Sequence, residues 1–336
     1  MAKNNGGKKF RINIYGVIVG TVLILYTLSV FFPILWGLMT SLKDAFDWGR
    51  PGTYLSFPDM SYWEANKIMN EEYLAMGLEA PYANYDNIFG NYIKFFSELS
   101  VKVKRSYYIG INLDRPVSIN DEVGLGGLFL NTILYAGGSA IFSAFAPCIA
   151  GYLCAKFKYK FSGFLYSFVL FVMIMPIVGN TTAMITLLRK FCLYDTIYGM
   201  WIKGFSFASS YFLIFYAFFS GMSDTYAEAA QIDGASYFKV MWTIYIPLAA
   251  KTISTIFLLN FVALYNDYNS VLVYLPTKPN LAYAVWYVAK GNVESSNDNV
   301  PFNIASAMAL SVPMIILFVI FKNKLMGNIS LGGIKE

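Results

Sequence analysis

Residue types that carry out acid–base or metal chemistry are scarce in this sequence. None of its 336 residues is a histidine, so the commonest general base and metal ligand is missing. No phosphate-binding loop of the form G-x-x-x-x-G-K-[ST] occurs, because Lys9 follows the Gly-Lys pair at residues 7–8. Cys148, Cys154 and Cys192 lie in or beside apolar segments, where we interpret them as packing residues rather than as a disulfide framework or metal site. We therefore expect no catalytic residue, no metal site and no cofactor bound by this chain.

One stretch, residues 225–248, combines acidic, glycine and proline residues at spacings that favour a defined interaction; its sequence is TYAEAAQIDGASYFKVMWTIYIPL. Thr225 and Glu228 fit a capping box that would begin a helix, and Gly234 can end that helix in a left-handed conformation. Pro247 would separate a second helix from the following segment or occupy that segment's first turn. Between them, four large apolar residues recur at helical spacing and predict one apolar face: Phe238, Met241, Trp242 and Tyr245.

The chemistry that this stretch predicts is binding rather than bond making. An amphipathic helix of this kind either lies on a lipid surface or docks into a groove of a protein partner. Lys239 is its only basic residue, whereas Glu228 and Asp233 would be repelled by anionic lipid. We therefore favour docking over lipid binding.

Long charge-free segments must position this stretch. The sequence is 57% hydrophobic and only 13% charged, which is typical of an integral membrane protein. Six segments reach the roughly 20 apolar residues that a membrane-spanning helix needs, and the first is too long for a signal-peptide core. The fifth of them along the chain, Leu248 to Leu275, is broken only by Asp267. The others lie between Arg11 and Lys43, Glu122 and Lys156, Lys160 and Arg189, Lys203 and Asp224, and Asp298 and Lys322. The sequence thus predicts an all-α membrane protein with six transmembrane helices.

Lysine and arginine bias predicts the orientation of these helices, because basic residues in short loops stay in the cytoplasm. Arg189 and Lys190 would lie outside and are outnumbered by basic residues predicted to share the other side. Those residues are Lys3, Lys8, Lys9, Arg11, Lys156, Lys158, Lys160, Lys322, Lys324 and Lys335. Both termini and residues 225–248 are therefore predicted to be cytoplasmic.

A family resemblance is carried by the spacing of residues within this stretch. Glu228-Ala229-Ala230, then Gly234, Ile244 and Ile246-Pro247, resembles the EAA loop of ATP-binding-cassette importer permeases, with Ile246 where the family usually has leucine. In that family the loop forms a coupling helix that sits in a cleft of the ATPase subunit. The resemblance implies that the ATPase-coupling residues are Glu228, Ala229, Ala230, Asp233, Gly234, Ala235, Phe238 and Pro247.

Further segments resemble the carbohydrate branch of these permeases, in particular the maltose-type second permease subunit. They include NTILYAGGSAIFSAFAPCIAGYLCAKFKYKFSG, which begins at Asn131 and Thr132, MIMPIV with Pro176, LYNDYNSVLVYL, and the tail GNISLGGIKE. The resemblance implies a metI-like fold and a tail contact with the ATPase through Gly332, Gly333 and Lys335. A weaker expectation concerns the substrate pathway, for which the candidates are Asn260, Tyr265, Asn266 and Tyr268. Asp267 is instead expected to have a structural role at the membrane edge.

We expect the chain to divide as follows: a cytoplasmic N-terminus (1–11), transmembrane helix 1 (12–42), an enlarged extracytoplasmic insert (43–125), a permease core (126–322) with the coupling loop (224–247), and a cytoplasmic tail (323–336). The insert is rich in aromatic residues, which either pack a small subdomain or contact a binding protein or sugar rings. These aromatic residues are Trp48, Trp63, Tyr73, Tyr82, Tyr92, Tyr107 and Tyr108.

The resemblance implies a non-catalytic permease subunit of a binding-protein-dependent sugar importer in the bacterial cytoplasmic membrane. Its expected partners are a second permease subunit, a cytoplasmic ATPase dimer that binds ATP and Mg, an extracytoplasmic solute-binding protein and membrane lipid, but no nucleic acid. Two alternatives stay open: an importer of the same architecture for a peptide, amino acid or other solute, and a membrane sensor or scaffold that does not transport. A membrane enzyme fits the sequence least well.

Overall fold

The computed structural model describes residues 14–78, 88–107, 117–157, 159–175, 179–290 and 299–326. Within these residues the protein is mostly helical, with one antiparallel pair of strands. The elements are α1 (Ile14–Ser41), α2 (Ala45–Gly49), α3 (Ser61–Ala75), α4 (Gly90–Glu98), β1 (Ser100–Tyr107), β2 (Val117–Gly124), α5 (Leu125–Lys156), α6 (Lys160–Ile174), α7 (Asn180–Lys190), α8 (Ile197–Gly204), α9 (Ser210–Ser220), α10 (Thr225–Ile232), α11 (Tyr237–Val240), a π-turn (Met241–Tyr245), α12 (Ile246–Tyr265), α13 (Tyr268–Tyr274), α14 (Leu281–Ala289) and α15 (Val300–Met326).

The described residues form two units, which divide the segment 43–125 between them. The first unit draws on residues 1–97 and 294–309, and the second on 98–293 and 310–336.

In the first unit, the Asn91 amide donates hydrogen bonds to the carbonyls of Ser41 (2.9 Å) and Lys43 (2.8 Å), which fixes α4 to the end of α1. Trp63 of α3 is 1% exposed, so this aromatic residue of the segment packs a small core.

Lys43 and Asp44 show how this first unit accommodates buried charge. The Lys43 ammonium donates to the Thr53 carbonyl and to the Ser56 hydroxyl. The Asp44 carboxylate accepts hydrogen bonds from the Phe46 amide and the Asn66 side chain. Burial nevertheless raises the pKa of Asp44 above its usual value. Hydrogen bonds from buried polar side chains therefore help to hold the residues after α1 together.

The hairpin of β1 and β2 leads into the helices of the second unit. Ser100 pairs with Gly124 and Tyr107 with Val117, and the side chains alternate, with Val101 and Val103 buried and the lysines between and after them exposed. This two-residue period is the pattern of a half-buried strand. Gly124 is also the N-cap of α5, so the hairpin runs directly into the longest helix.

Four helices in the described part of the chain are long and apolar enough to cross a membrane: Tyr15–Ser41, Leu125–Lys156, Tyr237–Tyr265 and Val300–Phe321. The third and fourth predicted spans correspond to shorter apolar helices, Lys160–Ile174 and Ser210–Ser220. The former ends at Met175, whose backbone is extended (φ −70°, ψ 120°), as expected for a residue that precedes a proline.

The fifth predicted span differs most from the structure. A continuous helix runs from Tyr237 to Tyr265, so the expected limits of Leu248 and Leu275 are wrong. Pro247 occupies the first turn of α12, as predicted, but α12 continues without a break from α11 through the π-turn Met241–Tyr245. At the other end the helix stops before Asp267, whose side chain accepts a hydrogen bond from the Ser270 amide and begins α13.

Helix α5 forms the centre of the second unit and packs against α8, α9 and α12. Small residues permit these close approaches, as is common between membrane helices. A Cβ atom at Gly151 would lie 2.8 Å from Phe215 Cβ and 3.0 Å from the Tyr216 backbone nitrogen. At Gly138 a Cβ would overlap the indole of Trp201, which donates a hydrogen bond to the Leu134 carbonyl at 2.8 Å.

Adjacent glycines of α5 provide a matched test of this packing. Gly138→Ala should destabilise the protein by about 1–3 kcal/mol, because the methyl group displaces Trp201 and breaks its hydrogen bond. Gly137→Ala should be neutral or stabilising by up to about 1 kcal/mol, because no atom lies within 4 Å of its Cβ position. Thermal unfolding of both purified variants in detergent measures the difference. Equal melting temperatures would contradict the packing of α5 on α8.

Candidate docking site

The start of α10 differs from the predicted capping box. Thr225 is the first residue of the helix rather than its cap, and the cap position belongs to Asp224, whose side chain makes no capping hydrogen bond. The Thr225 hydroxyl lies 2.6 Å from the Ser223 hydroxyl, which also accepts a hydrogen bond from the Thr225 amide. The prediction of a Thr225–Glu228 box is therefore wrong. Glu228 instead is an exposed carboxylate in the first turn, where it complements the helix dipole.

The end of α10 confirms the prediction made for Gly234. Its φ angle is +80°, in the left-handed region that glycine adopts without a steric penalty. The Gly234 amide donates to the Gln231 carbonyl and the Ala235 amide to the Ala230 carbonyl, both at 2.9 Å. These two bonds form a Schellman motif. The motif turns the chain sharply between α10 and the helix that begins at Tyr237.

One side of α10 and the following turn packs on the core of the second unit. Ala227, Ala230 and Ala235 contact a cluster that contains Phe219 and Tyr245, both fully buried. All the residues that α10 and the following turn contribute to these contacts are alanines. Because alanine side chains are short, the backbone of α10 lies close to the core. This packing fixes the short helix in place.

The remaining side chains of this region form an exposed surface, which we call the docking face. Its large apolar members are exposed by 56–87%, and Glu228 and Asp233 add negative charge. Single exposed apolar residues are ordinary, so it is the occurrence of four of them within and just after one short helix that makes this surface a candidate docking site. The apolar members are Tyr226, Ile232, Tyr237 and Phe238.

The four apolar residues predicted to share one face do not do so. Met241 and Tyr245 are buried in the core, whereas Phe238 and Trp242 are 68% and 42% exposed and contact each other with their rings 6.1 Å apart. The π-turn explains the difference, because it interrupts the 3.6-residue repeat on which the prediction relied. Of the four, Phe238 is the most exposed and belongs to the docking face, with Trp242 beside it.

A surface hollow of about 580 Å³ lies beside α10. Three of the predicted coupling residues line it: Ala229, Ala230 and Asp233. Ser223 and Tyr226 also line it and were not predicted. The hollow and the docking face together offer a partner an apolar surface with carboxylates at its edge. Pro247 lies away from α10, on the exposed side of the helix Tyr237–Tyr265.

Asp267 has the structural role expected for it at the far end of this helix. It accepts a 2.9 Å hydrogen bond from the Tyr135 hydroxyl, and its carbonyl accepts one from Asn280. The Thr132 hydroxyl of α5 accepts a hydrogen bond from the Leu281 amide. The side-chain amide of the adjacent Asn131 donates one to the Pro279 carbonyl. Helix α5 is thus joined to the loops before and after α13 by polar contacts.

The candidate pathway residues divide into exposed and buried groups. The side-chain amides of Asn260 and Asn266 donate to carbonyls four residues earlier, at 2.9 and 3.1 Å. Tyr265 is 1% exposed and its hydroxyl donates to the Leu310 carbonyl. Tyr268 is 40% exposed and stacks on Trp286, with centroids 5.7 Å apart and planes at 15°. Trp286 was not predicted, although the aromatic residues close to it in the sequence could have indicated an aromatic surface.

Two other predictions meet the structure only in part. The tail residues Gly332, Gly333 and Lys335 lie outside the described residues. Cys148 and Cys154 are buried and unpaired as expected, but Cys192 is exposed, so it is not a packing residue. Its φ angle of 56° places it in a tight turn after α7.

Comparisons with known proteins assign residues 148–325 to a family described as the binding-protein-dependent transport system inner membrane component. The chain is 25% identical over 220 residues to the melibiose/raffinose/stachyose import permease protein MelC of Bacillus subtilis, covering 64% of this chain and 78% of that protein. It is 22% identical over 218 residues to the diacetylchitobiose uptake system permease protein NgcG of Streptomyces coelicolor, covering 63% and 70%.

The fold resembles a chain in the crystal structure of a bacterial ABC transporter involved in the import of the acidic polysaccharide alginate. The TM-score is 0.64 at 18% identity, over 94% of this chain and 98% of that one. At this identity the likeness shows the fold alone.

Substitutions at Gly234 test whether its left-handed conformation holds α10. No atom lies within 4 Å of the Cβ position, so the cost of a side chain there is conformational. Gly234→Val should cost about 1–2 kcal/mol, whereas Gly234→Asn should cost less because asparagine tolerates this region. Hydrogen exchange of the amides at 234 and 235 should accelerate strongly in the valine variant and slightly in the asparagine variant. Unchanged exchange in both would contradict the Schellman motif.

Proposed function

Because this chain belongs to the family of binding-protein-dependent transport system inner membrane components, we propose that it is a permease subunit of an ATP-driven sugar or oligosaccharide importer. The observation that carries the proposal is the docking face: a short helix, fixed on one side by alanine packing and a Schellman turn, that exposes apolar and acidic side chains on the other. This arrangement fits an apolar groove in a cytoplasmic partner.

We propose that this partner is the ATPase dimer, which binds the ATP and Mg that the system needs. Closure of the dimer on ATP would displace α10. Since α10 is joined to the helix Tyr237–Tyr265 by only a tight turn, and packs directly on its buried residues, the displacement passes into the membrane bundle. The pathway would then alternate between outward-facing and inward-facing states. In this proposal Glu228, Asp233, Gly234 and Phe238 are coupling residues.

The topology proposed from the sequence accompanies this function. It has six spans, with α6 and α9 as parts of the third and fourth, both termini in the cytoplasm, and residues 43–125 on the outside. The apolar helices of the structure support a multi-pass membrane protein, and the basic residues of the N-terminus and of the turn after α5 support the orientation. The proposed partners beyond the ATPase are a second permease subunit and an extracytoplasmic solute-binding protein.

The substrate class rests on the relatives and on one aromatic surface. MelC and NgcG are named for the uptake of oligosaccharides. We propose that the Tyr268–Trp286 pair offers sugar rings a flat apolar surface at the outer end of the pathway, with Asn266 and Asn260 providing amide oxygens. Tyr265 would support this region from the core. A second candidate substrate is a phosphorylated polyol, because the sn-glycerol-3-phosphate transport system permease protein UgpE of Yersinia pestis is 23% identical over 149 residues.

Thiol labelling tests the orientation. Cys192 is exposed, whereas Cys148 and Cys154 are buried, so the unmodified chain carries its own control. An impermeant maleimide should label Cys192 in intact cells. In a Gln231→Cys, Cys192→Ser variant it should label the protein only after the cells are permeabilised. Labelling of the cysteine at 231 from outside would overturn the cytoplasmic position of α10 and with it the coupling function.

ATP hydrolysis by the assembled transporter tests the substrate class. The complex that co-purifies with this chain, supplied with its binding protein, should hydrolyse ATP several-fold faster in the presence of at least one of melibiose, raffinose or diacetylchitobiose. Stimulation by sn-glycerol-3-phosphate alone would favour the second candidate, and stimulation by peptides would favour an importer of another class. A chain that purifies without any ATPase would point to a sensor or scaffold.

A further inference from the structure

Lys156 is the last residue of α5. It contacts residues that precede α10 in the sequence and one residue that follows it. Its Nζ atom donates hydrogen bonds to the Met222 carbonyl at 2.6 Å and to Asp224 Oδ1 at 2.7 Å, just before α10 begins. It also lies 5.3 Å from the ring centroid of Tyr245, in the π-turn that follows. The side chain is 8% exposed, so these contacts replace most of the hydration of the ammonium group.

Exposed ion pairs contribute little to stability, because solvent screens them and the side chains lose entropy. The Lys156 contact is of a different kind, since the ammonium is buried and one of its partners is a backbone carbonyl. Hydrogen bonds to charged groups are directional and stronger than neutral ones. A displacement of the backbone at Met222 therefore acts directly on the end of α5.

Apolar contacts join the same elements independently of Lys156. The ring of Tyr152 of α5 contacts Phe219 and Tyr245, at centroid distances of 5.5 and 5.1 Å. These contacts hold α5 against α9 and the π-turn, and Met222 also packs against the same cluster. Loss of the Lys156 ammonium should thus leave the fold intact and remove only the polar link between the end of α5 and the segment that leads into α10.

We propose that Lys156 is a positioning residue that carries the movement of α10 into α5. Helix α5 packs against α8, α9 and α12, so a shift of its C-terminal end reaches much of the second unit. The inference rests on the proposed function, because it assumes that a nucleotide-driven partner moves α10. It adds a second route into the bundle, separate from the Gly234 turn into the helix Tyr237–Tyr265.

The test uses the purified complex with its ATPase and compares hydrogen exchange with and without a non-hydrolysable ATP analogue. In the wild type the analogue should change exchange both in α10 and in residues 150–157. In Lys156→Met, which keeps the aliphatic chain and removes the charge, the change in α10 should persist and the change in 150–157 should fall by at least about tenfold, because both hydrogen bonds of the ammonium are lost. Lys156→Arg should restore the response.

Two further variants sharpen the comparison. Lys160→Met removes an exposed charge from the same basic turn and should respond like the wild type. Asp224→Asn keeps a residue suited to the cap position and should reduce the response of residues 150–157, with no further loss in the Lys156→Met, Asp224→Asn double variant. Sugar uptake per ATP hydrolysed should fall in parallel with that response.

The outcomes separate the two claims. A wild-type complex in which the analogue changes exchange in neither segment overturns the proposed function. A wild type that responds in both segments, together with Lys156→Met and Asp224→Asn variants that respond equally, overturns the role of Lys156 alone. If Lys156→Met lowers the amount of complex, the Asp224→Asn variant decides, because its carboxylate is 54% exposed.

Discussion

An eight-residue helix that projects from a protein surface does not keep its conformation by backbone hydrogen bonds alone, because helices this short are marginal in water. Helix α10 depends on contacts with the core of the second unit. Its alanines lie against buried aromatic residues, and the left-handed residue Gly234 aligns the two hydrogen bonds that close its last turn. With this conformation fixed, the outer side can be apolar and acidic without disturbing the fold. The docking face exists because the opposite face is packed so closely.

The helices behind α10 obey a related constraint. Membrane helices gain little from burying apolar surface against lipid, so they associate through close packing and polar contacts. Helix α5 has glycine where Phe215 and Trp201 approach it, and polar residues at both ends. Near its start, Tyr135 contacts Asp267, and at its last residue Lys156 contacts the turn before α10. Helix α5 is thus held both by close packing at its glycines and by directed hydrogen bonds along its length.

Features that depend on local backbone chemistry were predictable from the sequence. The left-handed position of Gly234 and the helix after Thr225 follow from residue type and spacing, and the apolar character of the long helices follows from composition. The sequence did not predict that the Ser223 hydroxyl would pair with the Thr225 hydroxyl, because the capping-box pattern considers only residues that follow Thr225. Nor could charge-free intervals locate the ends of the helix Tyr237–Tyr265. Its limits depend on a π-turn through which α11 continues into α12 and on Asp267 as the cap of the next helix.

The same π-turn decided which apolar residues face outward. A regular helix would place Phe238, Met241, Trp242 and Tyr245 on one side, and burying that side would remove Phe238 from the docking face. The wider turn instead directs Met241 and Tyr245 into the core while Phe238 remains 68% exposed. Tyr245 then belongs to the cluster on which the alanines of α10 pack, and its ring centroid lies 5.3 Å from the ammonium of Lys156. One irregular turn therefore connects the docking face to the residues that hold the bundle together, which is the arrangement that the proposed mechanical coupling requires.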